Sequence, residues 1–189
     1  MKFPKDATKS ECKLQWYKIA EIKDADFGFV KDIERPTGTR FSTRCVLFNE
    51  NNEICIIDSG KYGYRQIPGG GIDEGESIID GLYREMLEEA GWQIEEVKPL
   101  GYIHEYRENT KNKKIKKWSE SIDFVFVAKT KSYSGTHYVT EEAEEDFRPV
   151  WILPKQALEY FESQVGQKES YSSNFANMRD LQILKYLLR

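Results

Sequence analysis

Residues 69–92 read GGGIDEGESIIDGLYREMLEEAGW, and this stretch decides the fold. The glycines follow Pro68, a combination that ends regular structure and permits tight turns. From Ser77 to Ala90, apolar side chains recur at the spacing of an amphipathic helix of about four turns, which Gly91 ends. The sequence therefore predicts a glycine turn that leads into a helix with one buried face. That face is predicted to consist of Ile79, Leu82, Met86 and Ala90.

The same helix carries Glu85, Glu88 and Glu89, which are related as i, i+3 and i+4. Side chains with this spacing share one face of a helix, where like charges repel each other by roughly 0.2–0.5 kcal/mol per pair. Hard divalent ions such as Mg²⁺ take oxygen ligands and leave positions open for water and phosphate. The three carboxylates together therefore predict a metal-binding face, whereas a single glutamate here is typical of a solvated surface.

The complete spacing resembles the Nudix box. That family's pattern is Gly, five residues, Glu, seven residues, Arg-Glu, a bulky apolar residue, any residue, Glu-Glu, any residue, Gly and an apolar residue. The matching residues are Gly70, Glu76, Arg84, Glu85, Met86, Glu88, Glu89, Gly91 and Trp92. The resemblance implies an α/β fold, an α/β/α sandwich around a mixed β-sheet. It also implies hydrolysis of a diphosphate linkage in a nucleoside diphosphate derivative by water attack at phosphorus.

The resemblance also assigns roles to the residues of the box. Arg84 is expected among the catalytic residues, where charge-assisted hydrogen bonds orient a carboxylate with support from Glu76. The expected ion is Mg²⁺, with Mn²⁺ as an alternative. Its implied ligands are the carboxylates of Glu85, Glu88 and Glu89 and the carbonyl oxygen of Gly69.

The base that activates water comes, in this family, either from the box or from a glutamate on a later loop. Glu88 is the candidate within the box. Glu145 is the candidate outside it, because it precedes the strand that contains Trp151. A cluster of glutamates is otherwise an acidic surface loop, so both interpretations stay open. The cluster consists of Glu141, Glu142, Glu144 and Glu145.

Substrate contacts are expected at the glycine turn, where the main chain of Gly70 and Gly71 can lie beside phosphate groups. Tyr64 is the aromatic candidate for stacking on a base, although such residues are more often part of a core or its rim. The same alternative applies to Tyr62, Tyr102 and Tyr106. Arg65 and Trp92 depart from the residues that the family commonly has there, so no substrate preference is carried over.

Outside the box, short β-rich runs separated by turns predict the rest of an α/β domain. Thr43–Phe48 and Glu53–Asp58 predict a hairpin through residues 49–52, and a weak strand pattern covers Leu14–Ile22. Further predicted elements are an antiparallel pair at Gly101–Arg107 and Ser121–Ala128, a strand at Val150–Leu153, a helix from Pro154, and a closing helix with Phe175, Met178, Leu181, Leu184 and Leu188 on its apolar face.

The bulk composition predicts a single domain over residues 1–189, with residues 1–40 as an N-terminal extension. Hydrophobic residues make up 39% of the chain, which is typical of a folded domain that is not embedded in a membrane. No run approaches the roughly 18 apolar residues that span a bilayer, and no signal-peptide core is visible, so the expected location is the cytoplasm. The cysteines show no CxxC spacing and are expected to be buried thiols.

The net charge of −4 argues against general nucleic-acid binding and leaves a nucleotide-like small molecule as the expected partner. A lysine cluster at residues 111–117 is interpreted as a solvated hairpin tip rather than a phosphate-binding patch. Two other functions stay open: a nucleotide-sensing or protein-binding Nudix domain without catalysis, and an isomerase of isoprenyl diphosphates. The complete carboxylate set argues against the first. A homodimer is expected only because many Nudix proteins dimerise.

Overall fold

A computed structural model describes residues 16–28, 38–107, 120–138, 146–166 and 171–189. Glu145, the lysine cluster at residues 111–117 and Cys12 lie outside these ranges. The described strands are β1 (Lys18–Lys23), β2 (Thr39–Phe48), β3 (Ile54–Ser59), β4 (Tyr64–Gln66), β5 (Trp92–Tyr106), β6 (Glu120–Tyr133) and β7 (Phe147–Ile152). The described helices are α1 (Ile78–Glu85), which continues into a π-helical turn (Met86–Ala90), α2 (Pro154–Gln164) and α3 (Tyr171–Leu187).

The seven strands form one mixed sheet in the order β1-β5-β6-β2-β3-β4, with β7 paired to β3. β2 runs parallel to β6, and β1 runs parallel to β5. The predicted antiparallel pair is confirmed as β5 and β6, although both strands are longer than the sequence pattern indicated. β1 lies within the segment 1–40 and forms one edge of this sheet.

The predicted hairpin between β2 and β3 is confirmed. Its turn is closed by Asn49, whose side-chain oxygen accepts hydrogen bonds from the amides of Asn51 and Glu53 at 2.9 and 3.0 Å. An asparagine that bonds to the main chain two residues further on is a common way to stabilise such a turn. β2 and β3 then diverge, because Phe48 and Ile54 form their one paired position.

Side chains alternate across β2 and separate the two faces of the sheet. Cys45 and Leu47 pack against α1 in one hydrophobic cluster, whereas Val46 belongs to the cluster under α2 and α3. Helices therefore cover both faces, and the expected α/β/α arrangement around a mixed sheet is confirmed. Cys45 and Cys55 are buried free thiols, as predicted, and burial raises the pKa of both.

Three details of the helices differ from the sequence interpretation. Ile78 rather than Ile79 lies fully in the core, and Ile79 packs at the rim of the same cluster. Leu188 is 45% exposed and lies beyond the end of α3, so it does not belong to the buried face. Leu153 is the residue before α2 rather than the end of the strand. The prediction for Pro154 is confirmed, since it occupies the first helical turn, where its missing amide hydrogen costs nothing.

The glycine turn lies along the part of β2 that diverges from β3, and it positions the site. The amides of Thr43 and Cys45 donate to the carbonyls of Gly70 and Pro68 at 2.9 and 3.0 Å. Gly69 has a φ of +134°, and a side chain there would overlap the carbonyl oxygen of Thr43. Only glycine allows the two main chains to approach this closely. None of the helices among the described residues has the length and apolarity that crossing a bilayer needs.

Candidate active site

The helix that carries the carboxylates begins where the sequence predicts. Ser77 caps its N-terminus, because its hydroxyl oxygen accepts the amide of Asp80 at 3.0 Å. The last turn differs from the predicted α-helix: Met86–Ala90 is π-helical, and the amide of Gly91 donates to the carbonyl of Met86. Such turns are rare and frequently occur at functional sites. The π-helical turn changes the directions of Glu88 and Glu89 relative to Glu85.

Arg84 lies at the centre of the box. Its Nε and Nη2 donate to the two carboxylate oxygens of Glu76 at 2.8 and 2.9 Å, a bidentate pair. Nη2 also donates to the carbonyl of Gly71 at 2.8 Å. These hydrogen bonds between Arg84 and Glu76 lower the pKa of Glu76 and raise the pKa of Arg84. Arg84 therefore ties the start of the box to its helix.

The third nitrogen of Arg84 joins two carboxylates of the predicted metal-binding face. Nη1 lies 2.8 Å from Oε1 of Glu85 and 2.9 Å from Oε2 of Glu88. Glu85 is 5% exposed, and burial raises the pKa of its carboxyl despite the opposing effect of Arg84. Its carboxylate packs against Gly70, where any side chain would collide with it. Glu85 and Glu88 thus converge on one positive group.

Glu89 is directed towards the glycine turn instead. Its Oε2 accepts the amide of Gly69 at 2.7 Å, and the residue is 3% exposed. A buried carboxylate is stable only with such partners. The hydrogen bond fixes the glycine turn relative to the helix and brings a third box carboxylate next to Gly69.

The carbonyl of Gly69, which the resemblance implies as a metal ligand, accepts a hydrogen bond from Nη1 of Arg44. A carbonyl oxygen has two lone pairs, so one remains for another partner. An ion on that oxygen would share it with a guanidinium of the same charge sign. Arg44 is buried and lies 3.4 Å from Asp123, which partly compensates its charge.

The chemistry of these oxygens suits a hard divalent cation, which prefers carboxylate and carbonyl ligands. Within the described ranges, no group of three or more His, Cys, Asp or Glu side chains is arranged to hold a metal ion. The cause is visible in the contacts, since Arg84 binds Glu85 and Glu88 while Glu89 is turned to Gly69. The ligand types fit the ion, and two of the three carboxylates already converge.

The structure brings together most of the residues that the sequence proposes, from Gly69–Gly71 to Glu89. Tyr64 lies in β4, where its ring meets Phe147 edge-on at 6.4 Å and packs against the core beside α1. His137 meets the box through its main chain, because its amide donates to the carbonyl of Glu88 at 3.1 Å. Nε2 of His104 lies within hydrogen-bond distance of Oε1 of Glu120, at 2.5 Å, in the sheet. Glu145 lies outside the described residues.

Sequence reasoning missed a second set of charged residues behind the glycine turn. Arg40, Ser42 and Arg44 occupy alternate positions of β2 and therefore share one face. The guanidinium of Arg40 lies next to Gly71, 3.3 Å from where a side chain would start. The signal was present, since polar residues at every second position of a buried strand demand partners. Those partners come from distant parts of the chain.

The family assignment follows from comparison with known proteins. The NUDIX domain family matches residues 38–172, which is more than half of the chain, and this protein belongs to that family. The fold resembles that of a NUDIX hydrolase from Nitrosomonas europaea, with a TM-score of 0.56 over 80% of this chain and 89% of that one. The two sequences are 15% identical, so this likeness shows the fold alone.

Two relatives are named RNA pyrophosphohydrolase. The one from Ruthia magnifica subsp. Calyptogena magnifica is 36% identical over 63 residues, which are 33% of this chain and 35% of that protein. The one from Psychromonas ingrahamii is 28% identical over 99 residues, which are 51% of this chain and 54% of that protein. This chain therefore matches about a third and about half of the length of these relatives.

Proposed function

We propose that this Nudix protein is a metal-dependent pyrophosphohydrolase that cleaves a diphosphate linkage in a nucleotide-like substrate. The observation that supports it best is the arrangement of the box carboxylates. Glu85 and Glu88 converge on one nitrogen of Arg84, and Glu89 bonds to the amide of Gly69. Carboxylates and glycine main chain in contact provide oxygen ligands next to amides that can receive phosphate.

In this mechanism Glu85, Glu88, Glu89 and the carbonyl of Gly69 would hold Mg²⁺, or alternatively Mn²⁺. The bound ion would supply charge neutralisation at the diphosphate and would lower the pKa of water. Glu88 is the base that accepts the proton from the attacking water, because it is the most exposed of the three carboxylates. Glu145 is the alternative base. Arg84 orients Glu85 and Glu88 through hydrogen bonds from one nitrogen.

The glycine turn binds the substrate phosphates through the main chain of Gly70 and Gly71. The carbonyl groups of both residues are already engaged, by Thr43 and by Arg84, which keeps the turn rigid. A rigid turn lowers the entropic cost of orienting the diphosphate. Tyr64, in β4, is the proposed aromatic contact for a base. Its ring is half-buried, so the base would stack on the exposed part of the ring.

The test is release of phosphate, pyrophosphate and nucleotide from a substrate panel with Mg²⁺, with Mn²⁺ and with chelator. The panel contains nucleoside triphosphates, nucleotide sugars, dinucleoside polyphosphates and, because of the names of the two relatives, RNA with a 5′-triphosphate. We expect metal-dependent release from one class and none with chelator. Nucleotide binding without release from any substrate would instead support the sensing module. Gel filtration of the same protein tests the expected homodimer, and a single cooperative unfolding transition tests the expected single domain.

A further inference from the structure

The C-terminal helix α3 contacts the glycine turn from outside the family match. That match ends at residue 172, whereas α3 spans Tyr171–Leu187. Asp180 of this helix is fully buried, and its Oδ2 accepts the amide of Ile67 at 2.9 Å. Ile67 comes directly before Pro68 and the glycines. A residue beyond the family's shared domain therefore bonds to the main chain that enters the box.

The contact is part of a charged network that crosses from α3 to the sheet. Nε of Arg179 donates to Oδ1 of Asp180 at 2.7 Å, and Nη1 of Arg179 lies 3.8 Å from Oδ1 of Asp123. Asp123 also accepts the hydroxyl of Ser42 at 2.6 Å and lies 3.4 Å from Nε of Arg44. The carboxylate of Asp180 is thus held between two donors, one from the turn and one from Arg179.

Arg44, at the other end of the network, also bonds to the main chain of the glycine turn. Its Nη1 donates to the carbonyl of Gly69 and lies 3.4 Å from the carbonyl of Ile67. Ile67 is therefore bound through its amide by Asp180 and through its carbonyl by Arg44. Gly69 is bound through its carbonyl by Arg44 and through its amide by Glu89. The carboxylates of Asp180 and Glu89 therefore bind the two ends of one three-residue segment, the amide of Ile67 and the amide of Gly69.

Stability by itself is a poor reason for this network. Buried ion pairs recover little more than the cost of removing their charges from water, and apolar side chains of similar volume often do as well. Among the described residues, Nη2 of Arg179 is buried without a hydrogen-bond partner, which adds a further cost. The network costs stability, and it bonds to the turn at both Ile67 and Gly69. We therefore explain it by the main chain that it holds in place.

We propose that Asp180 and Arg44 are positioning residues that set the metal affinity of the Nudix box. They hold the main chain of Ile67 and Gly69, so that the amide of Gly69 orients Glu89 and the carbonyl of Gly69, which bonds to Arg44, keeps one lone pair that would be available to the ion. The inference rests on the proposed function only in requiring that the box binds a divalent cation. It does not depend on which substrate is cleaved.

The test is Mn²⁺ binding by wild type and Asp180→Asn, measured by titration calorimetry and electron paramagnetic resonance without substrate. The amide of Ile67 and Nε of Arg179 donate to different oxygens of the Asp180 carboxylate. In asparagine an NH₂ group replaces one of these oxygens, so one of the two donors faces another donor. We expect the dissociation constant for Mn²⁺ to rise about 10-fold or more, as for residues that orient metal ligands. Saturating Mn²⁺ should restore most of the turnover, because no group in contact with the substrate has changed.

The matched control is Leu184→Ala, a buried core residue one turn further along α3 in the cluster under that helix. Leu184 shares this cluster with Ile67 but has no side-chain hydrogen bond to the turn, so the variant lowers the thermal midpoint and leaves the bonds of Asp180 in place. We therefore expect wild-type affinity for Mn²⁺. Equal weakening in both variants would show that α3 acts only through stability and would overturn the proposal. Wild-type affinity in a folded Asp180→Asn protein would overturn it as well.

A second variant covers the case in which Asp180→Asn fails to fold. Arg44→Lys keeps a positive charge beside Asp123 but has a single nitrogen, which cannot reach the carbonyl of Gly69 and Asp123 together. We expect the same rise in the dissociation constant, and unchanged Mn²⁺ affinity would overturn the proposal. Wild type that binds Mn²⁺ but hydrolyses no substrate would refute the proposed function alone. Wild type that binds no Mn²⁺ would refute both.

Discussion

Two charged networks meet at the glycine turn, and they are built differently. The box network surrounds Arg84, whose side chain is 28% exposed and binds Glu76, Glu85 and Glu88 within one short stretch of chain. The second network surrounds Asp123, whose side chain is 3% exposed and whose partners come from β2 and α3. We call them the box network and the buried network.

The difference in exposure suits the box network to binding a ligand and the buried network to positioning the glycine turn. In the box network, the side chains of Arg84 and Glu88 are 28% and 19% exposed, so water and an ion can reach this pair and its contacts can be exchanged. In the buried network, water has no access, and an unpaired charge there carries a large cost. The buried network is therefore suited to fix the turn, and the box network to exchange partners during a reaction.

The largest expected effect comes from breaking the box network at its carboxylates. Glu88→Gln and Glu89→Gln should each lower kcat/KM by about 10³-fold or more, because the amide loses the charge that binds the metal. Far-ultraviolet circular dichroism should show an unchanged fold. Glu159→Gln, on the exposed face of α2, is the control and should keep wild-type activity. Wild-type turnover in both box variants would refute the assigned roles.

The buried network should respond through stability instead. Asp123→Ala removes the ion-pair partner of Arg44 in the protein interior and leaves Arg179 with Asp180 alone, and we expect a loss of roughly 3 kcal/mol in the free energy of unfolding. Urea denaturation measures it. Glu162→Ala removes an exposed ion pair with Lys185 at 3.2 Å and should cost less than about 1 kcal/mol. Equal losses in the two variants would contradict the distinction between buried and exposed pairs.

The smallest expected effects are in the pH dependence of stability, where Asp123 of the buried network and Glu85 of the box network should have opposite signs. Burial alone would raise the pKa of Asp123, but Arg179 and Arg44 outweigh it and hold that pKa below its usual value. Its stabilisation is therefore present above the pKa of an unfolded aspartate, about 4. It is lost as the pH falls through the lower folded-state value.

Glu85 should act in the other direction in the metal-free protein. Burial raises its pKa, so its ionised form destabilises the fold, and stability should rise as the pH falls from the raised value towards that of an unfolded glutamate. Thermal midpoints between pH 3 and 7, in the presence of chelator, measure both effects. Glu85→Gln should remove the rise and Asp123→Asn the fall at lower pH. Unchanged profiles in these variants would count against the assigned causes.

The sequence predicted the parts of the site that lie close together along the chain. The Ser77 cap, the stop at Gly91 and the spacing of Glu85, Glu88 and Glu89 depend on contacts within a few residues, which local patterns encode. The π-helical turn was not predicted, because the sequence pattern indicated an α-helix as far as Ala90. In this turn Met86 and Ala90 pack into the core, and Glu89 accepts a hydrogen bond from the amide of Gly69. These are contacts with distant parts of the chain, which the spacing of apolar residues does not encode.

By itself, the sequence determined the Nudix box, its glycine turn, the hairpin at Asn49 and the alternation of strands and helices. Only the tertiary structure decided that β2 runs parallel to β6, that Arg44 shares the carbonyl of Gly69, and that Asp180 holds Ile67 across 113 residues of chain. The reason is the separation along the chain between the groups that interact. Helix caps and turns satisfy main-chain groups locally, whereas buried charges take whichever partners the packed layers bring to them.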